Sequence, residues 1–479
     1  MIYLDTETYC EVPLKWGTYR YAEACEVMLI TYAIDDGPIY CWDRTSSILT
    51  PPDLAAAFNS PDELVTAHNA MFDRNVMRAN GIVIPAERWR CTMMQALSHG
   101  LPGGLGALSE LFRLGTDEAK QKEGRALIQL FCKPRPKNSK LRRATRHTHR
   151  AAWQQFIEYA KHDISAMRVL AGKMPVWNMS PEEVANWHLD QRVNDRGFGV
   201  DTELVQSCLH ATEAEQRRLK ERTNEATGGE LDSTTKRDKT LEYLFEHYGV
   251  SLPDMKASTI DRRLADPSLP QGLKDLLQLR SMASTSSTAK YQTILRAATG
   301  GRIKGALQFA GAGRTGRWAG RTVQPQNYPS KGLLSLPEIR EGLTALRLGC
   351  EHLIFPDVMR LLASTLRPTI CAEKGNKLVW SDLSNVEGRC DVWLAGEEWK
   401  LQLFRDIDAG VVKFDTYVMA YAKAFGVPPE SVQKWQRQIG KVMELMLARG
   451  GGVGSFIAGA LAYNMDLDAM AQAALPSVP

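Results

Sequence analysis

At 479 residues the chain is too long for one hydrophobic core of ordinary size, which sets an expectation of two or three domains. Its 44% hydrophobic and 24% charged residues place it in the soluble globular class, and the absence of any run of about 18 uninterrupted apolar residues argues against a transmembrane helix. A net charge of +4 is too small to imply a nucleic-acid partner, so the distribution of charge along the chain carries more weight.

The opening MIYLDTETYC has no basic stretch followed by a long apolar run, so it reads as a buried strand and not as a signal peptide. VMLITYAI and PIYCWD predict two further strands, and LVTAHN a short fourth that runs into a helix from Phe72. Residues 133–150, KPRPKNSKLRRATRHTHR, hold eight Lys or Arg and no acid. A solvated loop and a phosphate-contacting loop are both open readings of such a run. A helix is predicted from Trp153 to about Ala171, and GKMPVWNMSPEE, with two prolines, ends it and marks the first domain boundary. Residues 182–296 read as mostly helical, with many charges and few strand signals. GGRIKGALQFAGAGRTGRWAGR reads as strands with exposed loops, KLVWSDLS as a late strand, and long helices follow. The fold class is therefore α/β at the start, with helices dominating afterwards. Nine cysteines stand singly with no CxxC pair, which argues against a zinc ribbon or disulfide framework and for a reducing cytoplasm.

Asp5 and Glu7 lie two apart on the first strand, so both carboxylates share one face. Like charges on one face repel unless a cation sits between them, and a hard divalent ion such as Mg²⁺ suits oxygen ligands. In AHNAMFDRNVM, Asn69 closes the fourth strand and Asp73 falls in the first helical turn, where an acid alone would complement the helix dipole. In FIEYAKHDISAMRVL, Tyr159 and Asp163 are four apart on one helical face, and Phe156, Ile164 and Met167 would set that face against the sheet. A purely structural Tyr–Asp pair is the bland alternative. Taken in this order and at these intervals, the three segments resemble the DEDD superfamily of 3′→5′ exonucleases. The resemblance implies a ribonuclease H-like domain in which Asp5, Glu7, Asp73 and Asp163 bind two divalent ions, Mg²⁺ or Mn²⁺. The ions would activate a water and stabilise the leaving 3′ oxygen. The histidine subtype needs a histidine five residues before the last carboxylate, where Glu158 stands. The chain instead resembles the tyrosine subtype, which assigns to Tyr159 the orientation of the attacking water. His162 faces elsewhere on the helix and is set aside. The basic run lies just upstream of this third segment, which favours phosphate contact over simple solvation.

Three later segments are similar to family A (bacterial DNA polymerase I-like) enzymes, particularly those of phages. GRTGRWAGRTVQPQNYP carries Arg314, Arg317, Arg321, Gln324, Gln326 and Asn327, which match the family segment that grips primer–template DNA. Arg and amide side chains suit phosphate and minor-groove acceptors. LVWSDLSNVEGRCDVWLAG matches motif A: Asp382 is the metal-binding aspartate, Glu387 the steric gate against a ribose 2′-hydroxyl, and Arg389 completes the pattern. RQIGKVMELMLARGGGVGSF matches motif B, with Arg437 and Lys441 four apart on one helical face, suited to a nucleotide triphosphate.

Two departures stand out. Arg449 occupies the place of the tyrosine that the family sets eight residues after the motif B lysine. Motif C, a His-Asp-Glu that brings the second metal-binding carboxylate, is expected beyond Pro479; Asp466 and Asp468 in YNMDLDAM lack the His and are rejected as a substitute. The expected organisation is an exonuclease domain at 1–175, a helical thumb-like region at 176–300, and the partial palm and fingers of a right-hand polymerase at 301–479. The implied partners are primer–template DNA, single-stranded 3′ ends and dNTPs, with no membrane, in a bacterial or phage-infected cytoplasm. The resemblance implies a DNA-directed DNA polymerase with proofreading, defective in synthesis as this chain alone. Alternatives are a stand-alone exonuclease whose polymerase region only holds DNA, and half of a split polymerase whose exposed palm-sheet edge recruits a polypeptide carrying motif C.

Overall fold

A computed structural model describes residues 1–114, 118–313, 315–330, 332–447, 450–462, 465, 467, 471–472 and 475. The chain forms two compact units, Met1–Leu378 and Val379–Pro479.

The first unit opens with a five-stranded sheet. β1 (Ile2–Tyr9) pairs antiparallel with β2 (Glu26–Ile34), and β2 with β3 (Tyr40–Asp43). On its other side β1 pairs parallel with β4 (Val65–Ala67), and β4 with β5 (Trp89–Cys91), giving the order β3-β2-β1-β4-β5. The four strands expected from the sequence all form; β5 is too short for alternation to signal it. β2 is buried without a break from Val27 to Ala33, as its run of apolar residues demands of a strand covered on both faces. The covering helices are α1 (Thr18–Ala24), α2 (Pro52–Asn59), α3 (Ala70–Ala79), α4 (Thr92–Ser98), α5 (Leu105–Leu111), α6 (Glu118–Phe131) and α7 (Arg150–Lys173). On α7 the buried residues Trp153, Phe156, Ala160, Ile164, Met167 and Leu170 recur every three or four positions, and this stripe lies on the sheet.

The break at GKMPVWNMSPEE forms a loop, but it is pinned: Met174 is buried beside Leu170, and the Gln95 side chain donates to the Met174 and Pro175 carbonyls at 3.4 and 3.3 Å. α8 (Pro181–Arg196) follows, capped by Ser180, whose hydroxyl accepts from the Glu183 N–H at 3.2 Å. Its far end is tied to α3 through Asp195, which accepts two bonds from Arg74 at 2.7 and 2.8 Å and one from Arg78 at 3.0 Å.

A second core joins distant segments. β6 (Phe198–Val200) precedes α9 (Thr202–Ala226), α10 (Arg237–Tyr248), α11 (Ala257–Leu264), α12 (Gln271–Ala283) and α13 (Ala289–Ala297). Then come β7 (Arg302–Ile303), the hairpin β8 (Leu307–Ala312) and β9 (Arg317–Gly320), α14 (Leu336–Leu348), α15 (Glu351–Ile354), α16 (Val358–Thr365) and β10 (Ile370–Cys371). β6 is the middle strand of the antiparallel sheet β10-β6-β7, and Val200, Leu204, Tyr291, Ile303 and Leu361 share one core. Leu231, Leu244, Ile260, Leu273 and Leu276 form a smaller separate core among α10, α11 and α12.

The second unit holds α17 (Val386–Ala395), α18 (Glu398–Asp408), α19 (Thr416–Phe425), α20 (Lys434–Leu447) and α21 (Val453–Ala462). α19 and α20 cross closely at Gly440, where a Cβ would stand 2.1 Å from the Tyr417 carbonyl oxygen. The strand expected from KLVWSDLS does not form, and no strand occurs among the described residues of this unit. A strand needs a ladder partner for its N–H and C=O groups; without one this segment stays exposed, its backbone open to water. The palm-sheet edge expected to recruit a partner is accordingly absent there. All nine cysteines are free, and among the described residues no helix is long and apolar enough to cross a membrane.

Candidate functional site

The sheet and α7 bring three carboxylates together. Asp5 and Glu7 project from β1 opposite Thr31 and Leu29, and Asp163 projects from α7. One oxygen from each lies within 4.8 Å of the other two. Asp73 is not part of that trio. It is 1% exposed in the first turn of α3, and its Oδ1 accepts from the Thr6 N–H at 3.1 Å and the Thr6 hydroxyl at 2.7 Å. It therefore has a structural role beyond complementing the helix dipole. Asn69 stands two residues past the end of β4, in the left-handed region at φ 63°, and turns the chain into α3.

Burial and mutual repulsion leave these groups reluctant to ionise. Burial first, then the charges of Asp73, Glu7 and Asp163, push Asp5 well above the usual carboxylate range. Burial, then Asp163, raises Glu7 to about 8; a bond from the Cys132 thiol, Sγ to Oε2 at 3.5 Å, opposes the shift. Burial raises Asp73 to about 7 against the Thr6 bonds, and Asp163 to about 6 against a bond from Tyr159. Among the described residues none of the four pairs with a Lys or Arg. Half-buried carboxylates that share a space and pair with no described Lys or Arg fit a divalent ion, which takes several oxygen ligands and favours their charged forms.

Tyr159 faces Asp163 across one helical turn, and burial followed by the charge of Asp163 raises its hydroxyl pKa. Its neighbour His162 is exposed. The basic run divides in two. Arg143 pairs with Glu26 at 2.7 Å and lies over the Tyr9 ring at 4.0 Å, and Arg146 reaches Asp43 at 3.5 Å. Lys133, Lys137, Lys140, Arg142 and Arg150 remain exposed. Two residues that pattern reading passed over support the site. Thr6 lies between the two acids of β1, and Cys132 is far from both in sequence, so no local signal marks it.

The later segments are arranged more openly. Arg317 and Arg321 are exposed on and just after β9, while Arg314 lies outside the described residues. Thr322 at φ 55° and Gln324 at φ 46° are both left-handed without being glycine. Such backbone persists only where the surroundings over-determine it, and it gathers at functional turns. The Asn327 amide donates to Gln324 Oε1 at 2.8 Å, and Gln326 lies against Gly320. In the second unit Asp382 is exposed on the unpaired segment, and Glu387 sits in the first turn of α17. Arg389 holds Asp408 through two bonds of 2.6 and 2.8 Å. Arg437 bonds Asp415 at 2.8 Å through Nε, and Lys441 follows one turn later on α20. Arg449, Asp466 and Asp468 lie outside the described residues.

No family model matches the sequence. A DNA polymerase of Bacillus phage SP02 is 33% identical over 465 residues, spanning 95% of this chain and 70% of that protein. The fold is similar to that of the POL domain of Pol1 from M. smegmatis, solved in complex with DNA primer-template and dNTP. That likeness has a TM-score of 0.57 at 16% identity and covers 99% of this chain and 71% of that one. The identity to the phage enzyme runs through nearly the whole chain, from the carboxylate-bearing sheet into the helices of the second unit, and the chain belongs to the family A-like DNA polymerases.

Proposed function

We propose that residues 1–175 are a 3′→5′ exonuclease of the tyrosine DEDD type that proofreads or trims DNA 3′ ends. Residues 176–300 are a thumb-like region and residues 301–479 a partial palm and fingers. The observation that carries this reading is the trio Asp5, Glu7 and Asp163, half-buried and gathered within 4.8 Å of one another, with no Lys or Arg paired to them among the described residues. Asp5, Glu7, Asp73 and Asp163 would hold two Mg²⁺ or Mn²⁺ ions, which when bound supply a nucleophilic water and charge stabilisation for the leaving oxygen. Tyr159 orients the water from its place beside Asp163. The exposed basic residues of 133–150 hold the phosphates of the incoming strand. Substrates are single-stranded or frayed 3′ ends, in a bacterial or phage-infected cytoplasm.

For the polymerase half, Arg317, Arg321, Gln324, Gln326 and Asn327, with Arg314, bind primer–template DNA. Glu387, Arg437 and Lys441 contact the dNTP, and Asp382 is the catalytic aspartate, again with two divalent ions. Arg437 would exchange Asp415 for a triphosphate. Synthesis by these 479 residues alone is weak, because Asp382 stands on an unpaired, exposed segment where nothing fixes its position. One observation favours a second reading, in which another polypeptide completes the palm. Val379, Trp380 and Leu383 around Asp382 are 83%, 87% and 75% exposed, and an apolar cluster of that kind is characteristic of a surface awaiting a partner.

A 5′-labelled primer–template incubated with Mg²⁺, with and without the four dNTPs, tests these proposals. Shortening under both conditions is expected. An intact primer without dNTPs would overturn the exonuclease reading, and efficient extension with dNTPs would overturn the weak palm.

A further inference from the structure

Helix α6 contributes none of the four acids, yet it walls the carboxylate site. Its last residue, Phe131, is fully buried, stacks on Phe156 of α7 at 5.2 Å and meets Trp153 edge-on at 4.9 Å. The next residue, Cys132, puts its thiol against Glu7. Two helical turns before Phe131, and so on the same face, lies the buried Gly124. A Cβ built on Gly124 would stand 2.2 Å from Cε2, 2.6 Å from Cδ2 and 3.0 Å from Cζ of Tyr159. The bare backbone of α6 thus lies directly on the tyrosine ring. Gly124 is not among the residues of positive φ, so backbone conformation does not require glycine. Glycine is also the poorest helix former after proline, so local propensity does not favour it there.

We infer that Gly124 is a positioning residue for Tyr159: by omitting a side chain it lets α6 press on the ring and hold the hydroxyl beside Asp163. The inference rests on the exonuclease reading above. A methyl group at 124 forces the ring aside, and a displacement of about 1 Å at a reacting group can cost about a hundredfold in rate.

The test is Gly124→Ala in the full chain, assayed on a 3′ single strand beside Tyr159→Phe, Asp163→Ala and the double variant Gly124→Ala/Tyr159→Phe. Mn²⁺ binding and thermal unfolding are measured in parallel. Gly124→Ala is expected to lower kcat about a hundredfold with KM nearly unchanged. Mn²⁺ affinity should be kept and the protein should stay folded, the helix propensity gained by alanine offsetting part of the cost of displacing the ring. In the Tyr159→Phe background the same change should cost nothing more. Wild-type kcat in Gly124→Ala, with Tyr159→Phe impaired, would overturn the inference and leave the exonuclease reading standing. A further loss in the double variant, or lost Mn²⁺ binding in Gly124→Ala, would also overturn it, because the glycine would then serve the site's folding. Full activity in both Tyr159→Phe and Asp163→Ala would remove the exonuclease reading itself.

Discussion

Asp5 and Asp382 are both aspartates in segments of strand-like sequence, and their surroundings differ in every other respect. Asp5 sits on the middle strand of a five-stranded sheet, roofed by α7, with two other carboxylates inside 4.8 Å. Asp382 lies in a run, 373–384, that is exposed at every residue and pairs with no described strand. On the proposed reading a metal ligand must be held in place before the metal arrives, and backbone pairing with Thr31 of β2 does that for Asp5. Two aspartates in similar sequence thus end in different frames, one hydrogen-bonded into a sheet and one left open to water.

The largest effect that would break this comparison lies at the buried site. If the proposed metal assignment holds, Asp5→Ala or Asp163→Ala should reduce 3′ degradation at least about a thousandfold, by removing a ligand of charge-stabilising ions. Duplex binding in a gel shift should survive; activity that persists in both variants would sink the metal assignment. Tyr159→Phe should cost about a hundredfold in single-turnover cleavage, the scale of one positioned proton-handling group, with Mn²⁺ affinity retained. An unaffected rate would return Tyr159 to a structural role.

A smaller effect concerns pH. The carboxyls of Glu7, Asp73 and Asp163 are raised by burial to about 8, 7 and 6, so the folded protein holds protons that the unfolded chain has released. Their stabilising contribution is full below the ordinary carboxylate range and is lost as pH rises through these values. In EDTA the melting temperature should therefore fall from about pH 5 to about pH 8 through this site, while the gain on adding Mg²⁺ should grow over the same window. A Mg²⁺-induced shift that is absent, or flat with pH, would contradict a metal bound to these groups.

The smallest effects belong to the open segment. Limited trypsin treatment should cut first at Lys374 or Lys377, because exposed, unpaired backbone is the easiest to fit into a protease. Asp382→Ala should leave both the melting temperature and 3′ degradation unchanged. It should abolish primer extension wherever a completing polypeptide restores it; extension that survives the substitution would remove Asp382 from the palm chemistry. Early cleavage elsewhere, with 373–384 protected, would show that the segment is held after all.

Much of the site was legible because its geometry is periodic. Residues two apart on a strand and four apart on a helix share a face whatever surrounds them, and Asp5 with Glu7 and Tyr159 with Asp163 obey this. The bond from Thr6 to Asp73 and the approach of Cys132 to Glu7 left no such mark, since they join residues 67 and 125 apart in sequence. β6 was also missed: three residues between two long helices carry little alternation, and only β7 and β10, from about a hundred residues and more downstream, make them a strand. KLVWSDLS failed in the opposite direction, for its β-forming residues found no ladder.

The sequence by itself determined the first four strands, the buried stripe of α7, the shared faces of the paired residues and the resemblance to polymerases, because these follow from side chains close together along the chain. Tertiary structure alone decided that three carboxylates from two elements meet with no described Lys or Arg paired to them, and that Gly124 bears on Tyr159. It also decided that Asp382 is left unframed. Those outcomes depend on which distant segments pack together, and on the burial that then shifts a carboxyl from its ordinary pKa.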